Sequence, residues 1–530
     1  MERLQVELLD TGFKLNLLRF LHEEKRKRYA CEHIDCVVMI DEGRGIAGET
    51  SRGVFEIKTK DEDYSGSFRV RVLAGCPMRA PGYASHSFGA DDFSEIFAMI
   101  AEAIDLAYRR AMASSSAKSN YRAKWEKLGD SLWSTKLALP RHATPLVESV
   151  QATYKIDPRT VPFERMASLL EDVARQCQEI PRIKFQWLGV GAILIREVIA
   201  GTNGVALDQT FAITQALAYF IGEENGVQQA HHDFLAHQRG WEIMEEGVNE
   251  EFTKFPPFRE FSLCLAKDVS DLCAAPPCPT VDNAVVVTEP HYNTLKVHEI
   301  VGHPTELDRI LKMETGYAGR SHFWRNRSEN MIGKQVASPL VSAYSDPNLP
   351  GYGFYKYDHE GIRGKKVVHI ESGILREFMS SAQTAAIFGG GSNGHWRASS
   401  GEKVPLIRMS NTVFAPGDQS PEDIIREVNH GYLIVGHNVP SIAESRENWQ
   451  ISSRKVYEIR NGEIGQLYRD GKLEADTIPY LTSIDAVGND FRLYPIPNCG
   501  KGIPMQVKKL GNGGPTMRGR ARLRGPTGGR

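Results

Sequence analysis

No apolar run in the 530-residue sequence reaches the 18 or so residues of a membrane-crossing helix, which argues against a membrane-spanning protein. Charge of one sign is also missing. The 64 lysines and arginines nearly balance 66 acids, for a formal net charge of −2. Bulk electrostatics therefore point to neither nucleic acid nor a membrane surface as partner. A secretory leader pattern is lacking, because the basic cluster Lys25–Arg28 follows the first apolar stretch instead of preceding it. Cysteine is sparse. Eight are scattered through a long chain, and they read as reduced thiols of a cytoplasmic protein rather than a disulfide frame. No repeat of solenoid or propeller period is present.

What is there reads as an α+β protein. The expected order is an N-terminal antiparallel sheet with helices, then a mainly β C-terminal catalytic domain carrying a metal-site helix. The length prior of about three to four domains is met by three expected units: 1–120, 121–255 and 256–530. Leucines at helical spacing predict a helix over 4–29. The runs CVVMI, VFEIKTK and SFRVRVL predict strands. Asp91 and Asp92 read as caps of a helix to about Ala113, followed by a serine-rich loop over Ser114–Asn120. Pro162 opens a helix to Glu179, and another runs from about Phe258 to Cys273. Asn203-Gly204 and Asn225-Gly226 read as hairpin turns. His231, His232 and His237 lack accompanying acids or thiols at metal-site spacing and read as solvated loop histidines. The pairs Cys31/Cys36 and Cys273/Cys278 have no clear partner pair for a structural zinc. Five arginines and no acid in Met517–Arg530 fit a basic tail, a terminal strand or a disordered end.

Chemistry concentrates in KVHEIVGH, Lys296–His303. His298 and His303 supply two imidazoles, and Glu299 supplies a carboxylate able to take a proton from water activated at a metal. The common protease spacing puts such histidines four apart on one helix face. Here they are five apart, roughly 140° around a regular helix. Gly302 precedes His303, and Pro304 cannot donate to the carbonyl of Ile300. The helix is therefore expected to stop or bulge at Gly302–Pro304, and a π-type turn would return both rings to one side. A catalytic zinc wants a third protein ligand. Glu306 and Cys499, the latter in the Pro/Gly loop IPNCGKGIP, are both candidates, and spacing does not choose between them.

The stretch His298–Asp308, HEIVGHPTELD, resembles the motif of the TldD/PmbA family of metallopeptidases, in its TldD-like, metal-binding branch. Further similarities follow in order: Asp358-His359-Glu360-Gly361, Arg408-Met409-Ser410-Asn411-Thr412, Gly488-Asn489-Asp490, Cys499-Gly500-Lys501 and Gly514-Pro515-Thr516. The resemblance implies His298, His303 and Cys499 as metal ligands and Glu299 as general base. It places Glu306 behind the ligands, with His359, Arg408 and Asn411 as supporting or substrate-contacting candidates. His359, Arg397 and Arg408 are also candidates to stabilise an oxyanion. His359 departs from the family's acid at that position, and Pro304 from a residue that is commonly small. One zinc per chain is the implied cofactor, although His and Cys donors also suit iron. The implied activity is hydrolysis of unfolded or flexible peptides, in a homodimer or with a paralogue lacking the metal motif. Two rival readings are a non-catalytic metal-binding scaffold and a metal-dependent amidase or maturation factor acting on a modified peptide.

Overall fold

A computed structural model of the chain describes residues 5–10, 12–121, 134–326 and 328–526. The protein is α+β. Its N-terminal half is one seven-stranded sheet backed by helices, and its C-terminal half is mainly β.

The N-terminal sheet uses β1 (Cys31–Ser51), β2 (Val54–Ala74), β3 (Ala80–Phe88), β4 (Leu146–Val150), β5 (Ile183–Gly201), β6 (Val205–Glu224) and β7 (Val227–His237). The order is β3-β2-β1-β5-β6-β4, with β7 also paired to β6. All neighbours are antiparallel except β4 and β6. Strands from both sides of residue 120 thus share one sheet. Two-residue turns at Arg52-Gly53 and Asn225-Gly226 have positive φ at both positions, the mirror-image geometry that suits strand twist. Helices α1 (Phe13–Arg26) and α2 (Ile96–Tyr121) cover one part of the sheet, and α3 (Phe163–Gln178) and α4 (Phe258–Ala274) another. In α1 the buried Phe13, Leu17, Leu18 and Leu21 fall at helical spacing on one face.

Two expectations are corrected here. The serine-rich Ser114–Asn120 is not a loop but the last turns of α2. Its polarity is absorbed locally, because buried Ser115 donates to the Met78 carbonyl and Ser119 donates back to the Ser115 carbonyl at 3.0 Å. His231, His232 and His237 are not in a loop but on β7, with His231 and His237 buried by strand alternation.

In the C-terminal half, β8 (Val281–Thr288) leads into helix α5 (Pro290–Val297). The later strands that matter are β9 (Ala343–Ser345), β10 (Asn411–Phe414), β11 (His430–Ile442), β12 (Asn448–Arg460), β13 (Lys472–Asp476), β14 (Arg492–Lys501), β15 (Gln506–Gly514) and β16 (Met517–Arg524). Strands β8, β11, β12, β13 and β16 pair in that order, and β16 pairs again with β8, so the five form a closed ring. A second sheet runs through β9, β10, β15 and β14. The β16 arginines are tied into the fold rather than held out as a tail. Arg518 pairs with Asp485 at 2.7 Å and Arg524 with Asp282 at 2.6 Å. Residues 527–530 lie outside the described residues.

Helix α5 is clamped between these sheets. Pro290 opens it, and the Glu289 carboxylate accepts from the His291 and Tyr292 amides at 2.8 Å each. The Tyr292 hydroxyl donates to the Ile451 carbonyl of the ring at 2.9 Å. Asn293 donates to the carbonyls of Thr288 and Pro515 at 3.1 and 2.6 Å. The turn that follows is packed without slack, since a Cβ on Gly302 would stand 2.0 Å from the Met409 sulfur. Gly302→Ala is therefore expected to destabilise the protein by about 1–3 kcal/mol in chemical denaturation, and by clearly less when Met409 is also changed to Ala. Equal costs in the two backgrounds would refute this packing.

Candidate metal centre

The motif leaves α5 as a π-turn over His298–Gly302, closed by the His303 amide donating to the His298 carbonyl, five residues back. A 3-10 turn over His303–Thr305 ends the helix at Pro304. Carbonyls left open by this change of pitch are taken up by Thr305, whose hydroxyl lies 2.9 Å from the carbonyls of Val301 and Gly302. The extra residue thus swings His303 back beside His298. Their ring centroids are 4.7 Å apart at 86°.

Strand β14 brings the third donor. Between Ile496 and Cys499 its pairing with β15 shifts register, and this irregularity presents the thiol to the two rings. The Cys499 sulfur is 3.6 Å from His303 Nε2. Ligand atoms of His298, His303 and Cys499 all lie within 4.8 Å of one another, and among the described residues theirs is the group of three or more metal-ligating side chains that comes together. Donors about 2.0–2.3 Å from a shared zinc stand roughly 3.3–3.8 Å apart, so this cluster fits such an ion with small adjustments. All three are at least 96 % buried. Glu306 does not compete for the same place. It holds His303 from behind, with Oε2 3.0 Å from Nδ1, as supporting carboxylates do for metal-site histidines. Asn512 does the same for His298, with Oδ1 3.2 Å from its Nδ1.

Charge is tightly balanced. Burial alone would raise the Cys499 thiol, but His298, His303 and Arg408 pull it well below its ordinary value. Burial would lower His298, yet the Cys499 thiolate, Glu299 and Asn512 carry it up to about 9. Burial disfavours ionised Glu299, and the Arg446 guanidinium with the two imidazoles more than offsets this, holding it down at about 2. Arg446 pairs directly with Glu299 Oε2 and also donates to the Glu299 carbonyl at 3.3 Å. Glu306 likewise stays well below the carboxylate range despite complete burial, because Lys501, His303 and Arg309 surround it. Lys501 lies 3.1 Å from Glu306 and 2.7 Å from Asp308, and Arg309 lies 2.8 Å from Glu306.

The donors open on a cleft of about 540 Å³. One wall is β7, with His232, Asp233 and Phe234. Val439 and Pro440 of β11 and Pro497 and Asn498 of β14 form the others. Arg408 reaches the cluster only through the backbone, donating to the carbonyls of Cys499 and Gln506 at 2.6 and 3.0 Å. His359 is buried against Glu197 at 3.5 Å, and burial pushes it down to about 4. Asn411 donates to the Leu349 carbonyl at 2.9 Å and accepts from the Gly353 amide at 3.1 Å, bracing a loop. His359, Arg408 and Asn411 are not among the cleft's lining residues. Two contributors went unread in the sequence. Asn512 sits in an unremarkable Gly-Asn-Gly run. Arg446 lies in the turn between β11 and β12 with φ +62, and no spacing rule connects it to Glu299. For Glu306, substitution by Gln is expected to weaken metal affinity by about 10–100-fold in chelator competition. Unchanged affinity would show that its hold on His303 is immaterial to metal binding.

A family model for the PmbA/TldA metallopeptidase C-terminal domain matches residues 282–520. A metalloprotease of Methanothermobacter thermautotrophicus is 31 % identical over 288 residues, 54 % of this chain and 58 % of that one. A zinc metalloprotease TldD homologue of Saccharolobus solfataricus is 29 % identical over 240 residues, 45 % of this chain and 51 % of that one. The matched segments thus span little more than half the length of these two relatives. The crystal structure of TldE from Thermococcus kodakarensis has the same fold, with a TM-score of 0.65, 16 % identity and coverage of 96 % of this chain and 99 % of that one. Motif, fold and the matched region 282–520 agree in their likeness to the TldD/PmbA family.

Proposed function

We propose that the chain is a metal-dependent peptidase, with His298, His303 and Cys499 as ligands and Glu299 as general base. The observation that carries this reading is the convergence of the His298–His303 pair with the distant Cys499, all buried, with the Glu299 carboxylate beside them on one cleft. Zinc is the metal favoured by the donor set and by the name of the archaeal relative. When bound, it would supply Lewis acidity toward a peptide carbonyl and lower the pKa of water.

The chain's own residues have separable tasks. Glu299 is ionised at neutral pH, so it can accept a proton from the attacking water and return it to the leaving amine. Arg446 positions Glu299 by holding one of its oxygens. Glu306 and Asn512 fix the two imidazoles by their Nδ1 atoms and leave the Nε2 atoms for the ion. The cleft is walled by strand segments from both halves, which suits an extended and therefore unfolded or flexible peptide. Assembly with a second copy or a paralogue is part of the same proposal, supported by the likeness to TldE.

Glu299→Gln should retain metal, measured by plasma emission, and lose about 10²–10⁴-fold in casein cleavage. Normal cleavage by this variant, or by metal-stripped protein, would overturn the mechanism. Arg446→Gln removes the cation that holds Glu299 ionised. The acidic limb of its kcat/KM profile should move up by about 1–3 pH units, because the base then protonates at higher pH. A limb that stays in place would remove Arg446 from this role.

A further inference from the structure

A second cavity, of about 270 Å³, lies where the N-terminal sheet meets the C-terminal half. Its walls are apolar: Ile195, Phe211 and Ile213 from β5 and β6, Tyr352 and Phe354 opposite, and Val507 at the rim. The walls are built rather than accidental. The Gln238 amide donates to the carbonyls of both Tyr352 and Phe354 at 2.9 and 2.8 Å, and the Tyr352 hydroxyl donates to Gln215 at 2.8 Å. At its base the chemistry changes sharply to Arg397, Lys508 and Glu197.

The charges there do not cancel. Arg397 is 95 % buried, its guanidinium stacks 3.9 Å from the Tyr355 ring centroid, and its Nε has no hydrogen-bond partner. One of its two terminal amines, Nη2, donates to the Met409 carbonyl. Lys508 donates to the Ala398 carbonyl at 2.9 Å. Arg408, just behind, donates only to carbonyls. Among the described residues, no carboxylate stands within ion-pair distance of these three cations. Glu197 faces His359 at 3.5 Å. Asp358, the other nearby acid, spends its oxygens on the amides of Glu360, Ile362 and Trp396. Lys509, on the outer side, is drawn to Asp41 and Asp63. Glu197 offsets part of the charge of Arg397 and Lys508 without pairing directly with either, and buried cations that lack a direct partner are costly. A cavity with apolar walls and convergent donors is the usual form of a ligand site.

We propose that this cavity binds an amphipathic carboxylate, its acid group held by Arg397 and Lys508 and its apolar body between Phe211, Ile213, Tyr352 and Val507. The acid belongs either to a free small molecule or to the C-terminal residue of a peptide. Its place makes it a neighbour of the candidate metal centre. Pro497 lines both cavities, and Lys508 is the register partner of Cys499 across the β14–β15 pair.

The test is calorimetric binding of 4-phenylbutanoate and of 4-phenylbutanamide to the full chain as purified, which reads the cavity independently of any peptidase activity. The acid should bind saturably and at least about tenfold tighter than the amide, since an ionic hydrogen bond is worth roughly that factor. Val507→Trp fills the rim without touching a charge, and should abolish binding while leaving thermal unfolding unchanged. Arg397→Gln should reduce affinity by a similar factor. Equal binding of acid and amide would overturn the proposal, as would unimpaired binding to Val507→Trp, which would place the acid at the metal-ligand cluster instead. Competition by an N-acetylated peptide ending in free phenylalanine, absent for its amidated form, would identify the ligand as a peptide C-terminus. Failure of that peptide to compete while 4-phenylbutanoate still binds would identify a free acid.

Discussion

The candidate centre hangs on one buried carboxylate. Glu306 touches His303 of the motif, Arg309 of the short helix after it and Lys501 of strand β14. Those contacts join the segment that supplies two donors to the strand that supplies the third. A buried charge is tolerated only when its partners are fully in place, and removing one leaves the others stranded. Asp308 shares Lys501 and also accepts from the Ile407 amide at 3.1 Å, so the network reaches the Arg408 stretch as well. Ionic pairing here sets position. The pairs that offset the cost of burying these groups also tie the strand carrying Cys499 to the segment carrying His303.

The second constraint is the pitch of the motif helix. A regular α-helix would turn His303 away from His298, and the π-turn corrects that phase by one residue. Gly302 is required because Met409 packs where its side chain would be, and Pro304 makes the correction terminal. The outcome is a rigid pair of imidazoles whose Nδ1 atoms are already engaged by Asn512 and Glu306. Orientation is thus fixed by one neutral and one anionic partner.

Local signals in the sequence went far. The five-residue histidine spacing with Gly302 and Pro304 pointed to a π-turn, the Asn225-Gly226 pair to its hairpin, and Pro162 to the start of α3. Each is a property of a few adjacent residues. What was not legible depends on distant partners. Arg446 meets Glu299 from 147 residues away, and nothing in its own neighbourhood marks it. The serine run at the end of α2 looked like a loop because its hydroxyls find acceptors only after folding. His231 and His237 sit in a stretch whose polar residues mask its alternation, and their burial comes with pairing of β7 on β6. The same limit applies to the cationic cavity, whose residues are drawn from stretches of chain as far apart as Met39 and Lys509.

The closed ring has a consequence for how the protein is made. Its seam joins Val281 to Leu523, so the strand that launches the motif helix finds its edge partner only among the last residues of the ring. The sulfur that completes the donor cluster follows His303 by 196 residues. Contacts of such long range are the slowest to form. The histidine pair is set by its own turn, but the three-donor cluster is complete only when strand β14 is in place, and the ring that holds the motif helix only when β16 has closed it.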